Sequence, residues 1–389
     1  MKIKKIEIKN NKILKDISVD FEKNGKIIDT IVVAGSNGSG KTTFLESIWN
    51  YFLEISEYRR DILEKVDITF NDDFEKLKEL DIIRHLKYAN YDEKNDIKTY
   101  KETVSLFKVL PKLIYIPTEI NFSEVKTETT NFYREYSFFN MVDFNMIKDI
   151  PSYIVSKVMY ILGQNENLTM LEARKKVTEE INGIFNILEL DVKLKGISKD
   201  GKNMPIFENS QGEEFDINEL SSGEKQLFLR TLSIKMLEPE DSIILIDEPE
   251  LSLHPKWQQQ IIKVYQNIGK NNQIILATHS PHILGSVPSE NIIILSKNEE
   301  NKIVPITGEE LYSSYGQTSD RILEDIMGMK SARNIEVQNL LDDVRNLVSE
   351  NRYETDEFKE KYNELENILG NSDSDLMLID MEIKRRKRG

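Results

Sequence analysis

Apolar and charged residues alternate at the start of the chain. Ile6 and Ile8 stand among Lys5, Glu7 and Lys9, and Ile17, Val19 and Phe21 alternate with Asp16, Ser18 and Asp20. A period of two marks strands buried on one face. Asn24-Gly25 reads as a hairpin turn, because both residues tolerate positive φ. Residues 1–34 thus form an antiparallel flap that leads into the apolar run Ile31-Val32-Val33-Ala34. Leu113-Ile114-Tyr115-Ile116, Ile243-Ile244-Leu245-Ile246 and Ile274-Ile275-Leu276-Ala277 are equally unbroken, as strands buried on both faces of a parallel sheet must be.

Helical spacing governs the rest. Thr43 to Trp49 reads as a helix, as do Ile154, Val155, Val158, Met159 and Leu162, the stretch from Leu171 to Leu188, and Leu227 to Met236. Residues 51–110 are dense in charge (Arg59-Arg60, Lys76-Leu77-Lys78-Glu79, Arg84-His85) and read as a helical insertion whose outer face is solvated or meets a partner. A hairpin runs from Asp191-Val192-Lys193-Leu194 to Ile206-Phe207 through Asp200-Gly201. Near the end, Val337, Leu340, Leu341, Val344 and Leu347 form one amphipathic helix; Phe358, Tyr362, Leu365 and Leu369 form another, stopped by Gly370. The expectation is an α/β fold with a central, mostly parallel sheet. Its discontinuous core spans 1–50, 111–122 and 190–308; a helical subdomain spans 123–189 and a helical C-terminal region 309–389.

Composition narrows the picture. The chain has 389 residues, a formal net charge of -15 and no cysteine. Disulfides and thiolate metal sites are excluded, and the surface as a whole does not attract nucleic acid indiscriminately, which leaves room for local basic patches. No apolar run approaches a membrane span, and no signal-peptide core follows Met1, so a soluble cytoplasmic protein is expected. Lys384-Arg385-Arg386-Lys387-Arg388 contrasts with this acidity. It reads as a loose solvated tail, with a phosphate contact or an acidic docking surface as alternatives.

Candidate chemistry gathers at the ends of the buried strands. Gly35-Ser36-Asn37-Gly38-Ser39-Gly40-Lys41-Thr42 lies between a strand and a helix, the context a phosphate-binding loop requires. Its backbone N–H groups, with Thr43 and the helix N-terminus, would cradle a nucleoside triphosphate. Lys41 would reach the β- and γ-phosphates, and Thr42 would ligate Mg2+. Asp247, at the tip of the Ile243 strand, is the second Mg2+ ligand, and Glu248 is placed to accept a proton from an attacking water. His279 closes the neighbouring strand, within reach of the γ-phosphate. Leu220-Ser221-Ser222-Gly223-Glu224 opens a helix, either as an ordinary N-cap or as a second anion-binding surface. His85, His254 and His282 have no carboxylate partners that would make a metal site, and Asn131 to Tyr136 carries too little positive charge for a base-stacking platform.

Together the phosphate loop, Leu220-Ser221-Ser222-Gly223-Glu224, Ile243 to Glu250 and Thr278-His279-Ser280-Pro281 resemble ATP-binding-cassette ATPases of the SMC/RecF/OLD-like branch. The resemblance implies ATP and Mg2+ as ligands, Glu248 as catalytic base and His279 as switch histidine. It also implies a homodimer or higher homo-oligomer in which Ser221, Ser222 and Gly223 of one chain face the phosphate loop of the other. Glu250 to Pro255 stands where the family's D-loop crosses that interface, in the E-x-x-L-H-P form. No glutamine follows closely on the Tyr115 strand, where the family has its glutamine loop; Asn121 or Glu119 stands nearest that role. Tyr315-Gly316-Gln317-Thr318-Ser319-Asp320 and the helices after it resemble PtuA-like ATPases of the Septu and retron anti-phage systems. That likeness implies gating of a separate HNH-type nuclease, with nucleic acid as a further candidate partner. A RecF-like DNA clamp for repair is the alternative. The chain is too short for an SMC coiled coil or a Toprim nuclease domain, and Asp373-Ser374-Asp375 is a weak carboxylate pair without one.

Overall fold

The computed structural model describes residues 1–57, 65–72, 74–75, 109–118, 120, 137–165, 167–198, 200, 203–308 and 310–388. It comprises two compact units, Met1–Ser319 and Asp320–Gly389.

Seven strands form the central sheet of the first unit: β5 (Thr30–Ala34), β7 (Leu113–Ile116), β8 (Phe139–Met141), β12 (Ile243–Asp247), β13 (Gln273–Thr278), β14 (Ile292–Lys297) and β15 (Ile303–Thr307). Their spatial order is β15-β14-β5-β13-β12-β7-β8. All pairs are parallel except β14 with β15. Every residue of β5, β12 and β13 is buried. The architecture is the mixed α/β fold with a mostly parallel sheet that the apolar runs imply.

The N-terminal strands β1 (Ile3–Asn11) and β2 (Lys15–Asp20) pair antiparallel, and β3 (Glu22–Lys23) and β4 (Lys26–Ile27) close a small hairpin. Asn24 and Gly25 turn it at φ 51° and 73°, the backbone their side chains permit. Helix α1 (Lys41–Glu57) packs Phe44, Leu45, Ile48 and Phe52 into one core with Leu245 and Ile275 of the central sheet and Ile6 and Ile8 of β1. Gln273, fully buried at the start of β13, stitches the two sheets together. Its Oε1 accepts from Ile3 N at 2.7 Å, and its Nε2 donates to the carbonyls of Ile3 and Ile28 at 2.9 and 3.0 Å.

Two stretches expected to be helical contain strands. Within the charged segment 51–110, Lys65–Phe70 is β6, antiparallel to β1 on the edge opposite β2. Ile68 and Phe70 are buried while Lys65, Asp67 and Thr69 point out. This period-two signal is short, and the surrounding charges swamp it. Phe70 meets Phe52 at 5.5 Å and Phe74 at 4.9 Å between ring centres. Arg59-Arg60, Lys76 to Glu79 and Arg84-His85 lie outside the described residues, as do Glu119, Asn121 and Asn131 to Tyr136. Within 123–189, β8 adds an edge to the central sheet before helices α2 (Phe144–Lys148), α3 (Ile150–Gly163) and α4 (Met170–Phe185). Phe139 of β8 packs on Trp49 of α1, with 5.5 Å between ring centres.

The hairpin of β9 (Lys193–Ile197) and β10 (Pro205–Glu208) gains a third strand, β11 (Glu214–Asp216); Gly201 of its turn lies outside the described residues. Helix α5 (Ser222–Lys235) follows, then short helices α6 (Pro255–Gln258), α7 (Ile261–Gln266) and α8 (Pro281–Leu284).

The second unit holds α9 (Ile335–Ser349), α10 (Asp356–Leu369) and α11 (Ser374–Arg388). Leu341, Val344, Leu347, Phe358, Leu365, Leu376 and Ile379 form its core. The basic run is therefore the last turn of a helix rather than a loose tail, because Leu376 and Ile379 anchor α11. Arg386 bonds Glu382 at 2.7 Å and Asn351 Oδ1 at 2.9 Å, and Lys387 lies 3.1 Å from Glu354. Asp373 and Asp375 are held by Arg333 at 2.9 and 2.6 Å, an ion-paired brace.

Gln273→Leu should leave buried backbone groups of Ile3 unpaired and cost about 1–3 kcal/mol of stability. Chemical denaturation reads this directly. A wild-type midpoint would remove the stitching role.

Candidate active site

The path from β5 into α1 dictates the loop's backbone. Gly35, Gly38 and Gly40 sit at φ 151°, 74° and 91°. A Cβ at Gly35 would collide with the carbonyl oxygen of Leu295, and one at Gly40 would lie 2.5 Å from Leu14 Cδ2. Lys41 is buried and bends back over the loop, donating to the carbonyls of Gly35 and Ser36 at 3.1 and 3.2 Å. Burial pushes its ammonium pKa down, against the pull of Glu248, Asp247 and Glu250. Ser39 Oγ is buried without a hydrogen-bond partner among the described residues.

Adjacent parallel strands bring the distant motifs together. In register, Ala34 of β5 lies opposite Thr278 of β13, and Ala277 lies opposite Asp247 of β12. Thr42 Oγ1 donates to Asp247 Oδ2 at 2.9 Å across that gap. Asp247 is only 2% exposed, and its Oδ1 has no hydrogen-bond partner among the described residues. A buried carboxylate oxygen without a donor, beside a hydroxyl, is what a divalent cation needs. Among the described residues no cluster of three or more His, Asp or Glu could hold a metal. The cation's protein ligands here would thus be Thr42 and Asp247, with nucleotide and water supplying the rest.

Glu248 departs from the strand with φ 46°, a left-handed backbone uncommon for a residue with a Cβ. Its N–H donates to Ala277 O at 2.9 Å, which pins the turn against β13. The side chain comes within 3.5 Å of His279 Nε2, and both side chains are 31% exposed. Burial, aided by the Lys41 ammonium, lowers the His279 pKa from 6.5, against Glu248 and Asp247. Burial and Lys41 thus favour the neutral imidazole.

Behind the carboxylates lies Arg230 of α5, 2% exposed. It donates to the carbonyls of Asp247 and Glu248 at 3.3 Å each and to Thr118 O at 2.5 Å. Burial lowers its pKa, while Tyr265, Glu250, Asp247 and Glu248 favour the cation. Glu250 receives hydrogen bonds from Thr278 Oγ1 and His279 N, each 2.7 Å. Neither residue figures among the expected site residues. Arg230 was detectable as the one cation inside Leu227-Phe228-Leu229-Arg230-Thr231-Leu232, whereas Glu250 stands out only as the first residue of the E-x-x-L-H-P segment, with no sign of its bonds to Thr278 and His279.

The turn before α5 takes the capping form. Ser221 Oγ accepts from Glu224 N at 3.3 Å, and Glu224 Oε2 accepts from Ser221 N and Oγ at 3.1 and 2.5 Å. Ser222 is exposed, and Gly223 is buried where a Cβ would stand 2.7 Å from Ser252 O. No hydrogen bond among the described residues joins this turn to the phosphate loop of the same chain. The other described histidines have partners: His254 caps α6 by accepting from Lys256 N at 3.2 Å, and His282 Nδ1 lies 3.1 Å from Ser319 Oγ.

In the nucleotide-free chain the His279 ring should titrate below 6.5. The native state then binds fewer protons than the unfolded state just below that pH. This contribution to stability is accordingly lost as pH falls from about 6.5 through the lower native value. Ring-proton NMR against pH checks it, and a midpoint at or above the ordinary value would count against the burial argument.

Comparison with known proteins places this geometry. The chain is 26% identical to the Septu protein PtuA of Bacillus thuringiensis, covering 78% of this chain and 79% of that one. It is 28% identical to the retron Vc95 probable ATPase of Vibrio cholerae serotype O1 biovar El Tor, covering 75% of each. Among solved structures, the SMC head domain from Thermotoga maritima aligns at 14% identity and a TM-score of 0.43, covering 79% of this chain and 99% of that one. The family described as "AAA domain, putative AbiEii toxin, Type IV TA system" matches residues 46–285, beginning just after the phosphate loop. That stretch is more than half of the chain and contains Asp247, Glu248 and His279, so the protein belongs to this family.

Proposed function

We propose that the chain binds ATP with Mg2+ between the phosphate loop and Asp247, hydrolyses it with Glu248 as general base, and uses the cycle to gate a partner nuclease in anti-phage defence. The observation that carries the ATPase reading is the Thr42–Asp247 bond at 2.9 Å, with the second carboxylate oxygen unpaired among the described residues, beside Glu248 and His279. Gly35 to Thr43 hold the phosphates through backbone N–H groups, and Lys41 turns from its own carbonyls to the β- and γ-phosphates. When bound, Mg2+ supplies charge neutralisation of those phosphates. Glu248 takes the proton of an attacking water, and neutral His279 donates from Nε2 towards the γ-phosphate.

The signature acts in a second copy of the chain. Exposed Ser222 and the N-terminus of α5 face outward, free to meet the γ-phosphate held by another subunit. ATP is then the glue of the dimer, and hydrolysis reopens it. The defence role is supported by the PtuA and retron ATPase relatives. Arg385 and Arg386 pair with Glu382, and Lys387 with Glu354, so part of the basic run is engaged within the chain; with the net charge of -15, this favours a protein partner over a DNA clamp.

Glu248→Gln should slow ATP turnover by about 10²–10⁴-fold while nucleotide binding persists. It should also run as an ATP-dependent dimer by light scattering, and Lys41→Ala should lose ATP binding. Wild-type turnover in Glu248→Gln would refute the base assignment. Affinity purification of Glu248→Gln with ATP from its host then addresses the partner: a stoichiometric nuclease supports the gating role, and DNA with recombination proteins would replace it with the clamp.

A further inference from the structure

Past Thr278 strand β13 ends, and the next N–H, that of His279, has lost its ladder partner on the β12 side. Glu250 supplies one. Its Oε1 accepts both from that N–H and from the Thr278 hydroxyl, each at 2.7 Å, across 28 and 29 residues of sequence. Its own carbonyl accepts from Leu253 N at 2.9 Å, closing a turn over Leu251 and Ser252. Ser252, at φ 62°, presses its carbonyl against Gly223, where an added Cβ would stand 2.7 Å away, and its hydroxyl accepts from Gln226 Nε2 at 3.2 Å. A single residue thus bonds the strand end that carries His279 and begins the turn that rests on the signature helix.

We propose that Glu250 is a positioning residue that fixes His279 opposite Glu248 and ties that placement to the turn packed on Gly223. The inference rests on His279 reading the γ-phosphate. A shift of the turn when a second subunit seats against it moves the Glu250 backbone. Through Oε1 that movement reaches the backbone of His279, whose ring lies 3.5 Å from the base. The carboxylate form is not what the two bonds require. Both use Oε1, while Oε2 is buried with no partner among the described residues, and burial raises the carboxyl pKa. An amide oxygen at the same place serves equally well, which separates positioning from charge.

The test compares Glu250→Gln, Glu250→Ala and Glu250→Asp, measuring kcat and KM for ATP and, without nucleotide, the NMR titration of the His279 ring. Glu250→Gln should keep wild-type kcat and the wild-type titration. Glu250→Ala should lose about 10–100-fold in kcat, the scale on which loss of an outer orienting partner acts, with KM for ATP unchanged. Its His279 midpoint should move towards the ordinary 6.5 as the ring is released to water. Should the alanine variant not fold, Glu250→Asp, one methylene short of both donors, carries the same expectation. Wild-type kcat and titration in the alanine or aspartate variant would overturn the proposal, as would Glu250→Gln being as impaired as either. If the wild-type chain hydrolyses no ATP, the ATPase reading fails, and the titration alone then decides whether Glu250 places His279.

Discussion

Asp247 is a carboxylate removed almost entirely from water at the end of an apolar strand. Such a group costs several kcal/mol unless other charges and donors compensate, and here the compensation is incomplete. One oxygen takes the Thr42 hydroxyl and the other takes nothing among the described residues. The buried Lys41 spends its donors on loop carbonyls. The site thus holds a desolvated anion and a desolvated cation that are not hydrogen-bonded to each other. A cation bound between Thr42 and Asp247 would relieve that unsatisfied state, and under the proposed function nucleotide binding would therefore stabilise this position.

The scaffold that tolerates this strain is the register of three parallel strands. Because β5, β13 and β12 end at one level, the phosphate loop, His279 and the acidic pair share one edge of the sheet. Two charged side chains keep that edge in place. Arg230 reaches the carbonyls of Asp247, Glu248 and Thr118, binding α5 to the ends of β12 and β7. Glu250 binds the end of β13 to the following turn. Each also leaves a buried polar atom, Arg230 Nε and Glu250 Oε2, without a partner among the described residues. The network holds together only while helix, turn and strand tips keep their relative positions. Through Arg230, α5 is thus tied directly to the backbone that carries Asp247 and Glu248.

The second unit follows a different economy. Its core is small, and charge pairs set its outline: Arg333 on Asp373 and Asp375, Arg345 on Asp375, and Arg386 on Glu382. Of a run of five basic residues that looks available from sequence, Arg385, Arg386 and Lys387 are ion-paired once α11 folds. Local charge in a sequence reports on partners only after the helix face on which it lies is known.

Sequence alone determined the sheet and the loop. Continuous apolar runs can only be strands covered on both faces, and Gly35 to Thr42 permits few backbones between a strand and a helix. Asp247, Glu248 and His279 were legible because each sits at the end of such a run, where a polar residue must face the sheet's edge. Short strands were not legible. Lys65–Phe70 and Phe139–Met141 carry two or three apolar positions each, and their pairing with β1 and β7 is a matter of tertiary contact. Only the folded chain shows what Arg230 and Glu250 hold, since their partners lie between 17 and 112 residues away. The role of a residue that holds distant backbone groups resides in the strands it joins, not in its sequence neighbours.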